Sequence, residues 1–219
     1  MNNSDFSAIK QYISDLYVEK DPLFQEMEQY ATEHSVPIME KDGLETLRHY
    51  LRFLNPEKIL EIGTAIGYSA LKMNDACPNS IVYTVERDLV RVNEANDFIA
   101  RKNKANHVHI IVGDALEVSD QVTLHAPFDV LFIDAAKGQY KKFFELYSPL
   151  VRKGGFIFSD NVLFKGLVAE VNMERSSKRI EKMIDKIKHY NEWLYTNPSY
   201  DTVILPVGDG LAVSRKLHE

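Results

Sequence analysis

Two short clusters carry the residue types most capable of chemistry. Asp134-Ala135-Ala136-Lys137 follows the apolar run Phe128 to Ile133, and Asp160-Asn161 follows the run Gly155 to Ser159. Two carboxylates and an amide oxygen are hard donors, suited to Mg²⁺ or Ca²⁺ with positions left for water or substrate oxygens. If both runs are neighbouring parallel strands, both clusters fall at the same sheet edge and their side chains converge. The alternative for Asp160-Asn161 is a loop cap, a common use of Asp and Asn. No set of His or Cys residues stands nearby for zinc, and the single cysteine, Cys77, excludes both an internal disulfide and a multi-cysteine metal site.

A second constellation lies upstream. The run ending at Ile62 leads into Glu61-Ile62-Gly63-Thr64-Ala65-Ile66-Gly67-Tyr68-Ser69. Glycines at a strand-to-helix turn admit a close ligand approach, and free amides at the helix start attract an anionic group. A nicotinamide site would show G-x-G-x-x-G. The spacing here is E-x-G-x-x-x-G, which points to an amino-acid-bearing nucleoside; a turn that serves packing alone is the alternative. The next apolar run ends in Val85-Glu86, where an acidic side chain can accept from both ribose hydroxyls, and the third ends in Val112-Gly113-Asp114-Ala115, beside an adenine edge. Taken singly, Glu86 and Asp114 could be solvated loop carboxylates. At successive strand ends they outline a crevice.

These motifs together resemble the catechol and caffeoyl-coenzyme A O-methyltransferase family. The resemblance rests on E-I-G-x-x-x-G-Y-S, then D-x-x-K, then D-N, and runs from about Val36 to the C-terminus. It implies S-adenosylmethionine (SAM) as cofactor and a divalent cation, Mg²⁺ or similar, held by Asp134, Asp160 and Asn161. It also implies Lys137 as general base, Glu86 on the ribose, Ser69 near the methionine carboxylate, and Asp114 and Ala115 near adenine. Met39, Glu61, Gly63 and Asp134 complete the implied cofactor site. The chemistry is coherent: methyl transfer from a sulfonium is an in-line displacement that needs an oxygen held against the methyl carbon. A cation lowers the pKa of a bound hydroxyl, and a lysine beside it can be depressed enough to take the proton. A second substrate oxygen would complete a chelate.

The substrate is suggested by other segments. Val36-Pro37-Ile38-Met39-Glu40, Asn191-Glu192-Trp193-Leu194, Asn197-Pro198 and Pro206-Val207-Gly208-Asp209-Gly210-Leu211-Ala212-Val213 are similar to the bacterial tRNA 5-hydroxyuridine methyltransferases within that family. That resemblance implies methylation of 5-hydroxyuridine at the wobble position of the tRNA anticodon loop to 5-methoxyuridine. A small-molecule catechol is the alternative substrate. Arg175, Lys178, Arg179, Lys182 and Lys186 form a basic stripe, and with Lys165 they could meet phosphates. A solvated helix face would look the same. Trp193, Tyr190 and Tyr195 suit core or dimer contacts better than base stacking. A binding module without catalysis would need neither the ligand set nor Lys137.

The elements that must position these residues follow from periodicity. Asp21-Pro22 starts a helix carrying Leu23, Met27 and Tyr30, and a further helix spans about Asp42 to Leu54 before Asn55-Pro56 ends it. Strands are expected at Ile59–Ile62, Ile81–Val85, Val108–Val112, Phe128–Ile133 and Gly155–Ser159, with helices at Leu89–Lys102 and Gln139–Tyr147 among them. This βαβ alternation predicts a parallel sheet buried on both faces. A long helix over about Glu174–Tyr195 precedes an antiparallel hairpin, Thr202–Leu205 and Leu211–Arg215. The expected fold is α/β: one Rossmann-like, seven-stranded methyltransferase domain over residues 1–219, with a helical segment 1–54 ahead of the core 55–219.

The 219 residues are enough for one full hydrophobic core, and 45% hydrophobic with 26% charged residues suits a soluble protein. A net charge of −6 argues mildly against non-specific nucleic-acid binding, though not against a local basic patch. No apolar run is long enough for a membrane span, and the start MNNSDFSAIKQYISDLY lacks the regions of a secretory signal. A cytoplasmic enzyme with no membrane partner is expected, and the family resemblance implies a homodimer.

Overall fold

The computed structural model describes residues 3–169 and 177–218. Three helices come first: α1 (Asn3–Leu16), α2 (Pro22–Glu33) and α3 (Lys41–Leu54). Asp21 caps α2 by accepting from Leu23 N, with Pro22 at the first helical position, and α3 stops where Asn55 takes a left-handed conformation. The alternating part follows: β1 (Lys58–Ile62), α4 (Tyr68–Ala76), β2 (Ile81–Glu86), α5 (Leu89–Arg101), β3 (Val108–Val112), α6 (Ser119–Thr123), β4 (Phe128–Ile133), α7 (Tyr140–Tyr147) and β5 (Val151–Ser159). The chain closes with α8 (Lys178–Thr196), β6 (Tyr200–Leu205) and β7 (Leu211–Lys216).

The sheet order is β3-β2-β1-β4-β5-β7-β6, parallel from β1 to β5, with β7 antiparallel to both β5 and β6. The order reverses between β1 and β4, the switch point where open α/β sheets leave a crevice outside their strand C-termini. One face buries Leu47, Leu51, Ile59, Met73, Phe98 and Phe132 under α2 to α5. The other buries Leu60, Ile62, Leu131, Ile133, Phe144 and Leu194 under α6 to α8. Neighbouring β1 residues Ile59 and Leu60 thus enter opposite cores, as the two-residue period of a strand requires.

The expected elements appear, with two differences. Strand β5 starts at Val151 rather than Gly155, and its register on β4 slips between Val151↔Phe128 and Phe156↔Val130. Gly154, at φ +76°, supplies the left-handed residue for the irregularity. The strand is expected only from Gly155 because the apolar run begins after the polar pair Arg152-Lys153 and Gly154. Helix α8 is described from Lys178, so the expected start at Glu174 and the stripe residue Arg175 lie outside the described residues. Among the described residues no helix is long and apolar enough to cross a membrane.

Polar clasps dock the N-terminal segment onto α4, the helix that follows the glycine turn. Lys72, 2% exposed, pairs with Glu19 of the α1–α2 connection and lies 4.0 Å from the centre of the Phe24 ring. Tyr68 donates to Glu28 (2.7 Å), and Lys102 of the α5 end pairs with Asp21. Burial pushes the Glu19 carboxyl up, but Lys72 and the Asp21 and Lys20 amides outweigh it and hold it below its usual range. Its folded pKa is therefore depressed, so the clasp stabilises above the usual carboxylate pKa and is lost as pH falls through the lower value. Lys72→Ala is expected to cost about 3 kcal/mol at pH 7, because breaking a buried pair leaves one charge uncompensated. Urea denaturation at pH 7 and pH 3 checks this, with the difference from wild type shrinking at the lower pH.

Candidate active site at the carboxyl edge of the sheet

Each site residue leaves its strand through an amide bonded to a neighbouring strand end. Asp134 N donates to Ile62 O (2.9 Å), Asp160 N to Ile133 O (3.1 Å), Gly63 N to Val85 O (3.1 Å) and Gly113 N to Glu86 O (2.9 Å). These bonds carry the sheet one residue past its strands and fix the loop starts. Gly63, at φ +108°, is where β1 passes the β4 turn: a Cβ there would lie 2.0 Å from the Asp134 carbonyl oxygen. Packing alone therefore demands this glycine, whatever ligand it also faces.

Behind the turn lies a buried polar knot. Glu61 is fully buried and accepts from both Ser69 Oγ and Thr84 Oγ1, and Thr84 also bonds Thr64 across 2.6 Å. Burial pushes the Glu61 carboxyl up to about 8, against the two hydroxyls and with the repulsion of Asp134 and Glu86. At neutral pH it is mostly a neutral acid. The Ser69 hydroxyl is thus engaged by Glu61. Glu86 is bound by backbone amides: Oε2 accepts from Ala65 N (3.0 Å), and Oε1 from Arg87 N (2.9 Å) and Asp88 N (3.0 Å). These bonds lock its carboxylate beside the glycine turn. Asp114 accepts from Leu116 N (2.9 Å) and meets Arg87 (3.0 Å); both hold its carboxyl below the usual range, against a little burial. The Ala115 carbonyl accepts from Tyr147 OH (2.5 Å). Met39 is buried beside the start of α3, its methyl 3.2 Å from where a Gly43 Cβ would be.

Asp134 and Asp160 end the adjacent strands β4 and β5, and Asn161 takes a left-handed φ of +56°. Asp160 is 1% exposed, and among the described residues neither carboxylate oxygen has a well-formed hydrogen bond, only the adjacent Asn161 amide standing near enough to favour its charge. Burial raises the Asp160 carboxyl well above its usual range, and the Asp134 charge adds to this; burial pushes Asp134 up to about 6. A buried carboxylate with both oxygens orphaned is costly unless something positive meets it. The hard donor set of Asp134, Asp160 and the Asn161 amide fits a divalent cation such as Mg²⁺. Lys137, one turn beyond Asp134 in a short 3₁₀ segment (Lys137–Gln139), is half-buried, and burial lowers its amine against the pull of Asp209, Asp134 and Asp160.

Sequence reasoning missed two groups. Tyr140 is 1% exposed, its hydroxyl has no hydrogen-bond partner among the described residues and feels Asp134 and Asp160, and Asp209 faces Lys137 from the β6–β7 turn. Tyr140 reads as a core residue of α7 and Asp209 as a turn former. The antiparallel pairing Ser159↔Ala212 would have located Asp209, since the start of β7 must lie beside the end of β5. Tyr190 and Trp193 are core contacts: Tyr190 bonds Ser159 (2.8 Å), and Trp193 packs edge-on to Phe144 (5.2 Å). Tyr195 is 59% exposed.

A family model described as O-methyltransferase matches residues 14–217. A catechol O-methyltransferase of Niastella koreensis is 30% identical over 98% of this chain and 99% of its own. Caffeoyl-CoA O-methyltransferase 2 of Petunia hybrida is 28% identical, covering 96% of this chain and 90% of its own. Among solved structures, a Staphylococcus aureus protein provisionally called a caffeoyl-CoA O-methyltransferase superposes with a TM-score of 0.88 at 38% identity, over 95% of this chain and 99% of its own. An O-methyltransferase of Bacillus cereus in complex with SAH gives 0.80 at 26% identity, over 95% and 97%. The chain belongs to the O-methyltransferase family of catechol and caffeoyl-CoA type.

The raised Glu61 pKa has a measurable consequence. Between the ordinary value of 4.5 and about 8 the folded state holds a proton that the unfolded chain releases. Stability conferred below pH 4.5 is then lost as pH rises through that window, by at most about 1.4 kcal/mol per pH unit. Glu61→Gln is expected to flatten this slope in urea denaturation between pH 5 and pH 8. An equal slope in the variant would place the extra proton elsewhere.

Proposed function

We propose that this O-methyltransferase uses SAM and a divalent cation to methylate a hydroxyl beside a second oxygen, and that its substrate is 5-hydroxyuridine in tRNA. The observation carrying the chemistry is the orphaned Asp160 carboxylate beside Asp134, with Lys137 on the same strand edge. In this reading Asp134, Asp160 and Asn161 hold the cation, which when bound lowers the pKa of a coordinated hydroxyl. Lys137 takes the hydroxyl proton, a task suited to an amine that burial holds below its usual range. Glu86, fixed by three amides, presents its remaining lone pairs to the ribose, while Asp114 and Ala115 border the base. The glycine turn and Ser69 face the methionine end. SAM supplies the electrophilic methyl carbon.

The tRNA assignment is supported by the resemblance of the 36–40, 191–198 and 206–213 segments, and by charge near the site. Lys178, Arg179, Lys182 and Lys186 are exposed on α8, and none forms an ion pair among the described residues. The Lys186 amine lies 3.4 Å from where a Gly138 Cβ would be, next to Lys137. Lys186 puts a cation at the rim of a site that is otherwise acidic, and the other three lie along the same helix, an arrangement that suits a polyanion whose reacting base must approach a metal. The 5-hydroxyl and the neighbouring O4 of the base would supply the two adjacent oxygens that a cation held by Asp134, Asp160 and Asn161 suits. A small diol is the second reading, favoured by the catechol and caffeoyl-CoA names of the relatives.

Both readings are separated by one assay. Purified protein with labelled SAM and Mg²⁺ is offered tRNA carrying 5-hydroxyuridine and, in parallel, dihydroxybenzoate. Label entering 5-methoxyuridine supports the proposal, and label only in the diol overturns the tRNA half of it. EDTA or Asp134→Ala should abolish transfer to either, and Lys137→Ala should lower kcat by about 10²-fold or more. Full activity without divalent metal would refute the cation reading. Replacing Lys178, Lys182 and Lys186 by Gln should weaken tRNA binding and flatten its salt dependence by roughly one unit of slope per lost phosphate contact. Turnover of the diol should not change.

A further inference from the structure

The turn between β6 and β7 is held far more firmly than a hairpin tip requires. Gly208 N donates to Asp42 Oδ2 (2.8 Å), and Lys10 donates to the Gly208 carbonyl (2.8 Å). The Asp209 carbonyl accepts from Leu163 N (2.9 Å), and the Gly210 carbonyl from Val162 N (3.0 Å). Gly210 has φ +89°, and a Cβ there would lie 2.4 Å from the Leu163 side chain. The turn is therefore stitched to α1, to α3 and to the loop that follows Asp160-Asn161.

At the centre of these contacts is the Asp209 side chain, 8% exposed. One carboxylate oxygen accepts from Lys165 N; the other lies 4.0 Å from Lys137 Nζ. An aspartate that merely stabilised a turn would sit in solvent and bond its own backbone. This one is buried, is bonded to a different loop, and turns its second oxygen toward the amine. Nor is it a third cation ligand: among the described residues no three acidic, His or Cys side chains gather closely enough to share a metal.

We infer that Asp209 positions the Lys137 amine, holding it beside the Asp134 and Asp160 carboxylates but off them, and thereby makes the hairpin turn part of the catalytic apparatus. Without this third carboxylate the flexible lysine would fold onto Asp134 or Asp160, occupying the oxygens meant for a cation and losing its reach to the substrate hydroxyl. Its surroundings agree: burial lowers the Lys137 amine, Asp209 leads the charges that oppose this ahead of Asp134 and Asp160, and Lys165 acts with burial. The Phe164 ring, 5.7 Å from the amine, walls the other side. The inference rests on Lys137 being the base.

The test is Asp209→Asn, which keeps an oxygen to accept from Lys165 N while removing the charge. Two readouts are taken. In the metal-free protein, acetylation of Lys137 by an amine-reactive ester is followed by peptide mass spectrometry, with Lys141 and Lys165 as internal references. In the complete assay, kcat and KM are measured for SAM and for tRNA carrying 5-hydroxyuridine. Expected are several-fold slower labelling of Lys137 alone, because the released amine pairs with Asp134 or Asp160, an unchanged melting temperature, and a kcat lowered roughly tenfold with the KM for SAM unaltered. Unchanged or faster labelling would overturn the positioning role, and this readout needs no substrate, so it stands even if the tRNA reading fails. Slower labelling with unchanged kcat would show that Lys137 is not the base, and would remove the catalytic role of Asp209 with it.

Discussion

Three carboxyl groups, Glu61, Asp134 and Asp160, stand on three adjacent strands near the C-terminal edge of the sheet, and burial opposes the charge on each. Each is treated differently. Glu61 is satisfied by Ser69 and Thr84 and resolves its burial by keeping its proton. Asp160 has, among the described residues, no well-formed hydrogen bond to either oxygen. Asp134 lies between them with Lys137 as its cationic neighbour. Much of the local architecture can be understood as accommodating this concentration of acid. The strand-end amide bonds fix the backbone, Gly63 lets β1 pass within contact of Asp134, and the hairpin turn brings Asp209 against Lys137.

Such a site holds its acidity at a cost in stability, because desolvated carboxylates disfavour folding until they are protonated or paired. The surrounding cores are what sustain it. Apolar residues fill both faces of the sheet beneath the site, so the strand ends are held by packing that does not depend on the acidic groups themselves. The N-terminal helices add to that frame through Lys72 and Lys102, charges that pair with the connection between α1 and α2 away from the candidate site. Packing away from the site thus stabilises a set of buried carboxyl groups that is unfavourable by itself. That division is common where function requires an unfavourable local arrangement.

The sequence by itself determined the class of fold and most of the candidate site. Short apolar runs alternating with amphipathic segments can be buried only as a parallel sheet covered by helices, so β1 to β5 were legible to within a residue or two, apart from the start of β5. Asp134, Asp160, Asn161, Glu86 and Asp114 were legible for a related reason: a polar residue that ends a buried strand must emerge at the sheet edge, and consecutive parallel strands share that edge. The family resemblance added Lys137, which by residue type alone is an ordinary lysine.

Only the tertiary structure decided which groups meet across distant parts of the chain. That Gly63 is required by the Asp134 carbonyl, that Ser69 is engaged by a buried Glu61, and that Asp209 faces Lys137 all depend on strand order and on how β7 lies against β5. The bulge that moves the start of β5 to Val151 belongs here too, since a register shift has no signature in local alternation. The physical reason is the same in each case. Periodicity reports which face of an element is buried, a local property of the chain; a contact between side chains tens of residues apart depends on sheet topology and close packing, which no local pattern encodes.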